Sequence, residues 1–452
     1  MKNLLRLAVL LFTTATFAQA GHIMQGVGSV NMSMGGAATA QPTNISGALQ
    51  WNPATLSAFD SKILDFNVGA FFSSPKLSSS LPGNAMWLGS PAVSGVTEDD
   101  RPVSPMPALA MVWGKEGSKH TFGVSAFGIS GFGVTFPQET NLPVDALGRP
   151  NANWNPNESN PINYPQTMNG FGLLESDYML LQVGLAWAYE ITDSFSIGIQ
   201  PTVNYASLEL APNPIASPSQ KGYPVSDKAT TIGYGAQFGM FYSSPGGVKL
   251  GASYKTTQKF DPLDFKNTNL DGTEAADASF TMDYPAILSL GLGYSTENFD
   301  LALDYRYVDY ENTNGFAEKG WTNTGSVKGF GWKNINIISA GIQYKGIETL
   351  PLRVGYTFSS NPIDEELAFF STPATAVIKH AFQFGFSHPL TDNLTLNGVY
   401  HHGLSDGKTE GELLNPMMAS QTNPYGAIPG TKVGYEMTTD MLMLGVSYNF
   451  TK

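Results

Sequence analysis

The stretch FSIGIQPTVNY, residues 195–205, decides how this chain folds. Its odd positions read Phe195, Ile197, Ile199, Pro201, Val203 and Tyr205, and its even positions read Ser196, Gly198, Gln200, Thr202 and Asn204. Successive side chains of a strand point to opposite faces, so this alternation predicts a strand with one greasy and one polar side. Three further stretches repeat the pattern. In residues 280–294, Met282, Tyr284, Ala286, Leu288, Leu290 and Leu292 stand against Thr281, Asp283, Ser289 and Gly291. In residues 301–307, Leu301, Leu303, Tyr305 and Tyr307 oppose Asp304 and Arg306. In residues 442–450, Leu442, Leu444, Val446, Tyr448 and Phe450 oppose Met443, Gly445, Ser447 and Asn449. Such runs reach roughly ten residues, the length of a tilted membrane-spanning strand and about twice that of an ordinary soluble one. The expected fold is all-β, a transmembrane antiparallel barrel; a soluble sandwich or propeller is the weaker alternative.

The connections alternate as well. Short turns fall at residues 116–118, 192–194, 244–247, 295–298, 346–349 and 391–393. Long connections fall at about 75–105, 137–175, 209–228, 263–279, 311–332, 360–376 and 404–435. Short periplasmic turns and long external loops characterise outer-membrane barrels, and seven loops with six turns predict about fourteen strands. Tyr189, Tyr242, Tyr294, Tyr344 and Tyr448 lie near the short turns or the terminus, and Tyr205, Tyr254, Tyr307 and Tyr400 near the long loops. They form two expected interfacial girdles.

The chain begins with Lys2 and Arg6 around a short apolar run that ends at Ala18-Gln19-Ala20. This is the pattern of a secretory signal peptide, residues 1–20, and the run is too short for a spanning helix. Removing Lys2 and Arg6 takes the formal charge from -13 to -15, which excludes nucleic acid as a partner. There is no cysteine, so no disulfide or thiolate metal site exists. Charged residues make up 13% and aromatics 12%, with 48 glycines, a balance that suits a chain with one surface in lipid.

Residues 21–60 precede the first expected strand and carry Gly26, Gly28, Gly35, Gly36 and Gly47 with Trp51, Leu56 and Phe59. A compact segment that starts on the periplasmic side of a closed barrel can plug its lumen. The expected organisation is therefore a hatch over residues 21–60 and a barrel over residues 61–452. The hatch stretch GVGSVNMSMGGAATAQPTNISGALQWNPATLSAF resembles the amino-terminal hatch of the FadL family of outer-membrane channels for long-chain fatty acids and hydrocarbons. Its Asn52-Pro53-Ala54 element is the most specific part. The resemblance continues through YPAILSLGLGY, FDLALDYRYVDY, LPLRVGYTFSSNPIDEE and HAFQFGFSHPLTDNLTLNGVYHH, in the family's order.

That resemblance implies a fourteen-stranded barrel closed by a hatch. It also implies hydrophobic cargo that is captured at external loops, bound in the lumen and released sideways through an opening at a kinked third strand. The third strand here, HTFGVSAFGISGFGVTF, holds Gly123, Gly128, Gly131 and Gly133, and glycines inside a strand permit a bulge or bend. Asn52 is expected to tie hatch to wall as part of a gate, with Pro53 fixing the turn. The chain ends Phe450-Thr451-Lys452, where barrel proteins usually finish on the aromatic itself.

An amphiphile needs a greasy surface to leave water and an apolar cavity with a few polar groups for its head. Met86 and Trp87, Phe171 with Leu173 and Leu174, and residues 413–418 are the expected capture surfaces. For a carboxylate head, the strand phases turn Arg306, Arg353 and Lys379 into the lumen, opposite Asp283 and Asp304. Long-chain fatty acids are the leading expected cargo, with aromatic hydrocarbons or alkanes as the alternative. An enzyme is disfavoured: no Gly-x-Ser-x-Gly element is present, and Ser387 and His388 point to opposite faces of a strand. The pair His401-His402 is weak as a metal site, and no cofactor or metal is expected. The acidic runs Glu98-Asp99-Asp100 and Asp364-Glu365-Glu366 are expected in external loops, solvated or bridged by divalent ions to lipopolysaccharide. A polar porin is the remaining class. The expected partners are a hydrophobic ligand, outer-membrane lipid with lipopolysaccharide, and the machinery that inserts barrels, with the protein a monomer.

Overall fold

The computed structural model describes residues 19–145, 147–220 and 222–450, so residues 1–18 of the expected signal peptide lie outside the described residues. Fourteen antiparallel strands form a closed barrel. In chain order they are β1 (Lys62–Leu81), β2 (Ser104–Trp113), β3 (His120–Phe136), β4 (Leu174–Thr192), β5 (Phe195–Ala211), β6 (Ala229–Ser243) and β7 (Val248–Lys255). The second half comprises β8 (Ala286–Ser295), β9 (Phe299–Asp309), β10 (Ile335–Tyr344), β11 (Leu352–Ser359), β12 (His380–Pro389), β13 (Leu394–Leu404) and β14 (Lys432–Asn449). Each strand pairs with the next, and β14 returns to β1 from Asn449↔Ile63 to Lys432↔Ser80. Closure removes the unpaired edges that hydrocarbon does not tolerate. Among the described residues no helix is long and apolar enough to cross a membrane.

Alternation along β5 appears as burial. Ser196, Gln200, Thr202 and Asn204 are buried in the lumen, whereas Ile197, Ile199, Val203 and Tyr205 are 36–49% exposed on the outer face. Residues 280–284 depart from the expected strand. Phe280 ends an external hairpin, Leu263–Thr268 with Glu274–Phe280, and β8 begins only at Ala286. Met282, Asp283 and Tyr284 are all buried, because the chain there has left the ladder and folds inward over the lumen. The first external connection is likewise shorter than expected, since β1 runs to Leu81 against Val93–Glu98.

Residues 21–58 sit inside the barrel and are almost all buried. They contain two short helices, α1 (Ser29–Ser33) and α2 (Ile45–Trp51), and a 3-10 turn at Pro53–Ala58. Helix α2 is capped by Asn44, whose side chain accepts from Gly47 N. Helix α1 has Gly28 at its start and no capping side chain of its own. The barrel wall supplies the cap: Asn67 Oδ1 accepts from Ser29 N at 2.9 Å and Ser29 Oγ at 2.7 Å.

Candidate ligand site and wall opening

The hatch is fastened to the wall by buried polar side chains that face the lumen. Asn52 stands between α2 and the 3-10 turn, where its Oδ1 accepts from Ala54 N and its Nδ2 donates to Thr39 O (2.7 Å) and to Met240 O of β6 (2.9 Å). Pro53 occupies the first position of the 3-10 turn, where its missing N–H costs nothing. Gln237 Nε2 and Ser253 Oγ both donate to Trp51 O. Across the lumen, Asp304 Oδ2 accepts from Ala38 N, from Thr39 N and Oγ1, and from Arg306. The Arg306 guanidinium lies 3.7 Å from the centre of the Trp51 ring and donates to Gly36 O. Close contact also demands glycines in the wall. A Cβ on Gly251 would stand 1.9 Å from Thr39 O, and one on Gly355 would stand 2.1 Å from Gly35 N.

β3 is interrupted halfway. Opposite β4, Gly128 pairs with Leu181 and Ser130 with Leu180, which leaves Ile129 as an extra residue. This bulge switches the buried phase from Ser125 and Phe127 to Ser130, Phe132, Val134 and Phe136. On its other side β3 pairs with β2 only through Phe127, so its upper half and Ser104–Pro107 of β2 have no ladder between them. The hatch fills that seam. Ile23 pairs with Ser130, and His22 O accepts from Ser130 Oγ (2.7 Å) and Gly131 N (3.3 Å).

The four glycines of β3 therefore do different things. Gly128 and Gly131 flank the bulge, Gly123 faces Leu49 and Leu56 of the hatch, and Gly133 lies under Arg101. Arg101 crosses to Ser176 O and to Asp177, and Asp99 accepts from Thr135 N at 2.5 Å. Asp99 is thus bound to the upper edge of β3 rather than simply solvated, and burial pushes its carboxyl up to about 6.

Beside the seam, His22 is enclosed by the rings of Tyr178, Tyr284, Tyr310, Phe316 and Trp332, with centroids 4.6 to 6.2 Å away. Its Nδ1 meets the Tyr310 hydroxyl at 2.7 Å. Burial pushes the imidazole down to about 3, so the ring is neutral. A second apolar group lies next to this box. Met24 and Met32 of the hatch pack with Met106, Met179, Met441 and Met443 of the wall. Methionine is flexible and polarisable, which suits a surface that must repack.

The three expected lumen cations are not brought together. Arg306 pairs across the ladder with Ile337, and Ile337 with Ser359, six residues beyond Arg353 on β11. At about 3.3 Å per residue the two guanidinium-bearing positions are roughly 20 Å apart along the strand. Arg353 donates to Gln343 and Ser387 near the periplasmic end. Lys379 is half-buried at the outer end, just before β12. Asp283 opposes none of the three; it accepts from Lys259, Phe260 N and Asn314. A buried cation absent from the sequence reading is Lys255, whose Nζ donates to Gln182 Oε1 at 3.1 Å.

The external candidates also separate. Trp87 is 47% exposed and stands 6.0 Å from the Trp154 ring, with Met86 half-buried beside it. Leu173 is exposed, but Leu174 is buried at the start of β4, and Phe171 packs on Tyr223 and Phe369. His401 is buried against Gln383, whereas His402 bonds Asp440. His22, Tyr310 and Trp332 were not read as site residues from sequence, and Tyr284 was placed on the apolar face of an expected strand, whereas it is buried in the box. The nearest signal was the place of His22, two residues beyond the expected signal cut.

The family model described as "Outer membrane protein transport protein (OMPP1/FadL/TodX)" matches residues 165–451, more than half of the chain. Among solved structures, the toluene transporter TodX of P. putida is 17% identical, with a TM-score of 0.66 over 95% of this chain and 99% of that one. A Pseudomonas aeruginosa FadL homologue is 14% identical, with a TM-score of 0.69 over 95% and 100%. The toluene transporter TbuX of Ralstonia pickettii is 14% identical, with a TM-score of 0.61 over 94% and 99%. No curated protein sequence matches the chain.

Proposed function

The chain belongs to the OMPP1/FadL/TodX family and is an outer-membrane channel for hydrophobic compounds, not an enzyme; from that premise we propose that its cargo is monocyclic aromatic compounds. The observation that carries this reading is the box of five aromatic rings at the inner end of the wall seam. Flat apolar walls suit a flat ring, through offset and edge-on ring contacts of about 0.5–1.5 kcal/mol each beyond area burial. Solved proteins of this fold described as toluene transporters or monoaromatic hydrocarbon channels support it.

The leading expectation from sequence, a long-chain fatty acid, followed from the family resemblance, with inward cations as the candidate partners of its carboxylate head. Arg306 is paired with Asp304 and Gly36 O, while Arg353 donates to Gln343 and Ser387 near the periplasmic end and keeps Nη1 unpartnered among the described residues, so the two do not converge on one carboxylate head. Cargo would leave water at apolar loop residues such as Trp87 and Leu173, enter the box, and depart sideways between β2 and β3 once residues 22–24 shift. Met86, Phe171 and Leu174 back that entrance rather than line it. The Asn52-Pro53-Ala54 turn would hold the rest of the hatch in place during the shift.

The test is uptake of radiolabelled toluene, p-cresol and oleate by cells that carry this protein in place of their own channel. Aromatic uptake at least about tenfold above the empty vector, with oleate unchanged, supports the reading. The reverse pattern sinks it.

A further inference from the structure

The aromatic box is closed around a side chain of the protein itself. His22 and its neighbours Tyr178, Tyr284, Tyr310, Phe316 and Trp332 are each at most 1% exposed, so the imidazole fills the box. Three polar atoms in it have no partner among the described residues: His22 Nε2, the Tyr178 hydroxyl and the Tyr284 hydroxyl. Buried polar groups are nearly always paired, so three orphans around one ring require an explanation. The adjoining carboxylate, Asp283, is already held by Lys259 and Asn314.

The geometry points to His22 as an intramolecular placeholder: the box is a site for a monocyclic aromatic that bears one hydrogen-bonding group, of the phenol class, and this ring enters as the imidazole withdraws. The inference rests on the aromatic reading above and narrows it. A plain hydrocarbon ring would leave three tyrosine hydroxyls unpaired, those of Tyr178 and Tyr284 and, once His22 has left it, that of Tyr310, at about tenfold in affinity for each. A phenolic hydroxyl can accept from one tyrosine and donate to another. A carboxylate would bring a charge that no side chain of the box neutralises, and buried charge without a partner is the most costly case.

To withdraw, His22 must release the Tyr310 hydroxyl from its Nδ1 and backbone N, and Ser130 Oγ and Gly131 N from its backbone O. Ile23–Ser130 is the one ladder pair between this segment and β3 among the described residues. Gly21, immediately before it, has φ +61, a conformation open to glycine that lets the chain turn away. Met24 follows, in the methionine group that can repack around the displaced segment.

Isothermal titration of p-cresol and toluene into the purified full-length protein tests this, with heat-modifiable gel mobility reporting that each variant is folded. The wild type should bind p-cresol at least about tenfold more tightly than toluene. His22→Ala, which empties the box, should tighten p-cresol at least about tenfold further, whereas His22→Phe should weaken it by a similar factor. Tyr178→Phe with Tyr284→Phe should reduce p-cresol to the affinity of toluene. An His22→Ala constant within twofold of wild type, or a cresol preference that survives the double Phe variant, overturns the placeholder and its polar specificity. Equal binding of both rings by all variants overturns the box but leaves the aromatic channel standing. Binding of oleate with neither ring overturns both.

Discussion

His22 has a folded-state acidity far from that of a free imidazole, and the sign of the shift has a consequence. In the box its pKa is pushed down to about 3 by burial; displaced into water it returns to the ordinary 6.5. The docked state is therefore fully favoured above pH 6.5 and is lost progressively as pH falls from 6.5 toward 3. The loss is about 1.4 kcal/mol per pH unit. The other titratable groups that face the imidazole do not compete in this window, since burial raises Tyr284 and Tyr310 further above their ordinary value. Lowering the pH from 7.5 to 5 should weaken docking by about 2 kcal/mol and tighten aromatic binding by up to about thirtyfold. Titration calorimetry at the two pH values reads this directly. A His22→Ala protein should show no such dependence, and an equal dependence in that variant would place the proton elsewhere.

At the scale of single elements, β3 is where one residue changes the wall. Ile129 is the extra residue that moves Ser130, Phe132, Val134 and Phe136 onto the inner face and ends the pairing with β2 at Phe127. Glycine content marked this strand as bendable, but glycine permits a bulge without saying which residue is extra. That depends on how β4 registers against β3, a contact across some fifty residues of chain. Deleting Ile129 should let the ladder with β2 run further and narrow the seam. Uptake of labelled aromatic compounds should fall at least about tenfold while the barrel keeps its heat-modifiable mobility. Unchanged uptake by a folded deletion variant would mean that cargo does not pass between β2 and β3.

For the whole molecule the central quantity is how completely the hatch fills the bore. Residues 21–58 are nearly all buried, and their backbone approaches the wall closely enough to require glycine at Gly251 and Gly355. Overpacking such contacts costs roughly 1–3 kcal/mol each, so glycine there reflects fit rather than flexibility. A filled bore carries little ionic current. In planar bilayers the intact protein should show no large steady conductance, and a variant lacking residues 25–58 should open a pore with at least about tenfold more current. A large steady current through the intact protein would contradict the plugged lumen.

Strand number, barrel class and the presence of a plug were legible in the sequence, because their physical causes are local. A two-residue alternation reports lipid on one face and lumen on the other at every strand, and turn length reports which side of the membrane a connection occupies. The pattern failed where the chain left the ladder, at residues 280–284, since alternation in a buried loop has no lipid behind it, and it put the end of the first strand too early. The site followed other rules. His22 meets Tyr310 across 288 residues, Asp304 grips Thr39 across 265, and Arg306 and Arg353 both face inward yet at different heights. Strand phase fixes which face a side chain takes, but its height and its neighbours across the lumen follow from shear and hatch path, which leave no periodic trace in the sequence. Only the closed tertiary structure decided that Arg306 serves the hatch while Arg353 bonds the wall, and that a histidine near the start of the chain occupies an aromatic box.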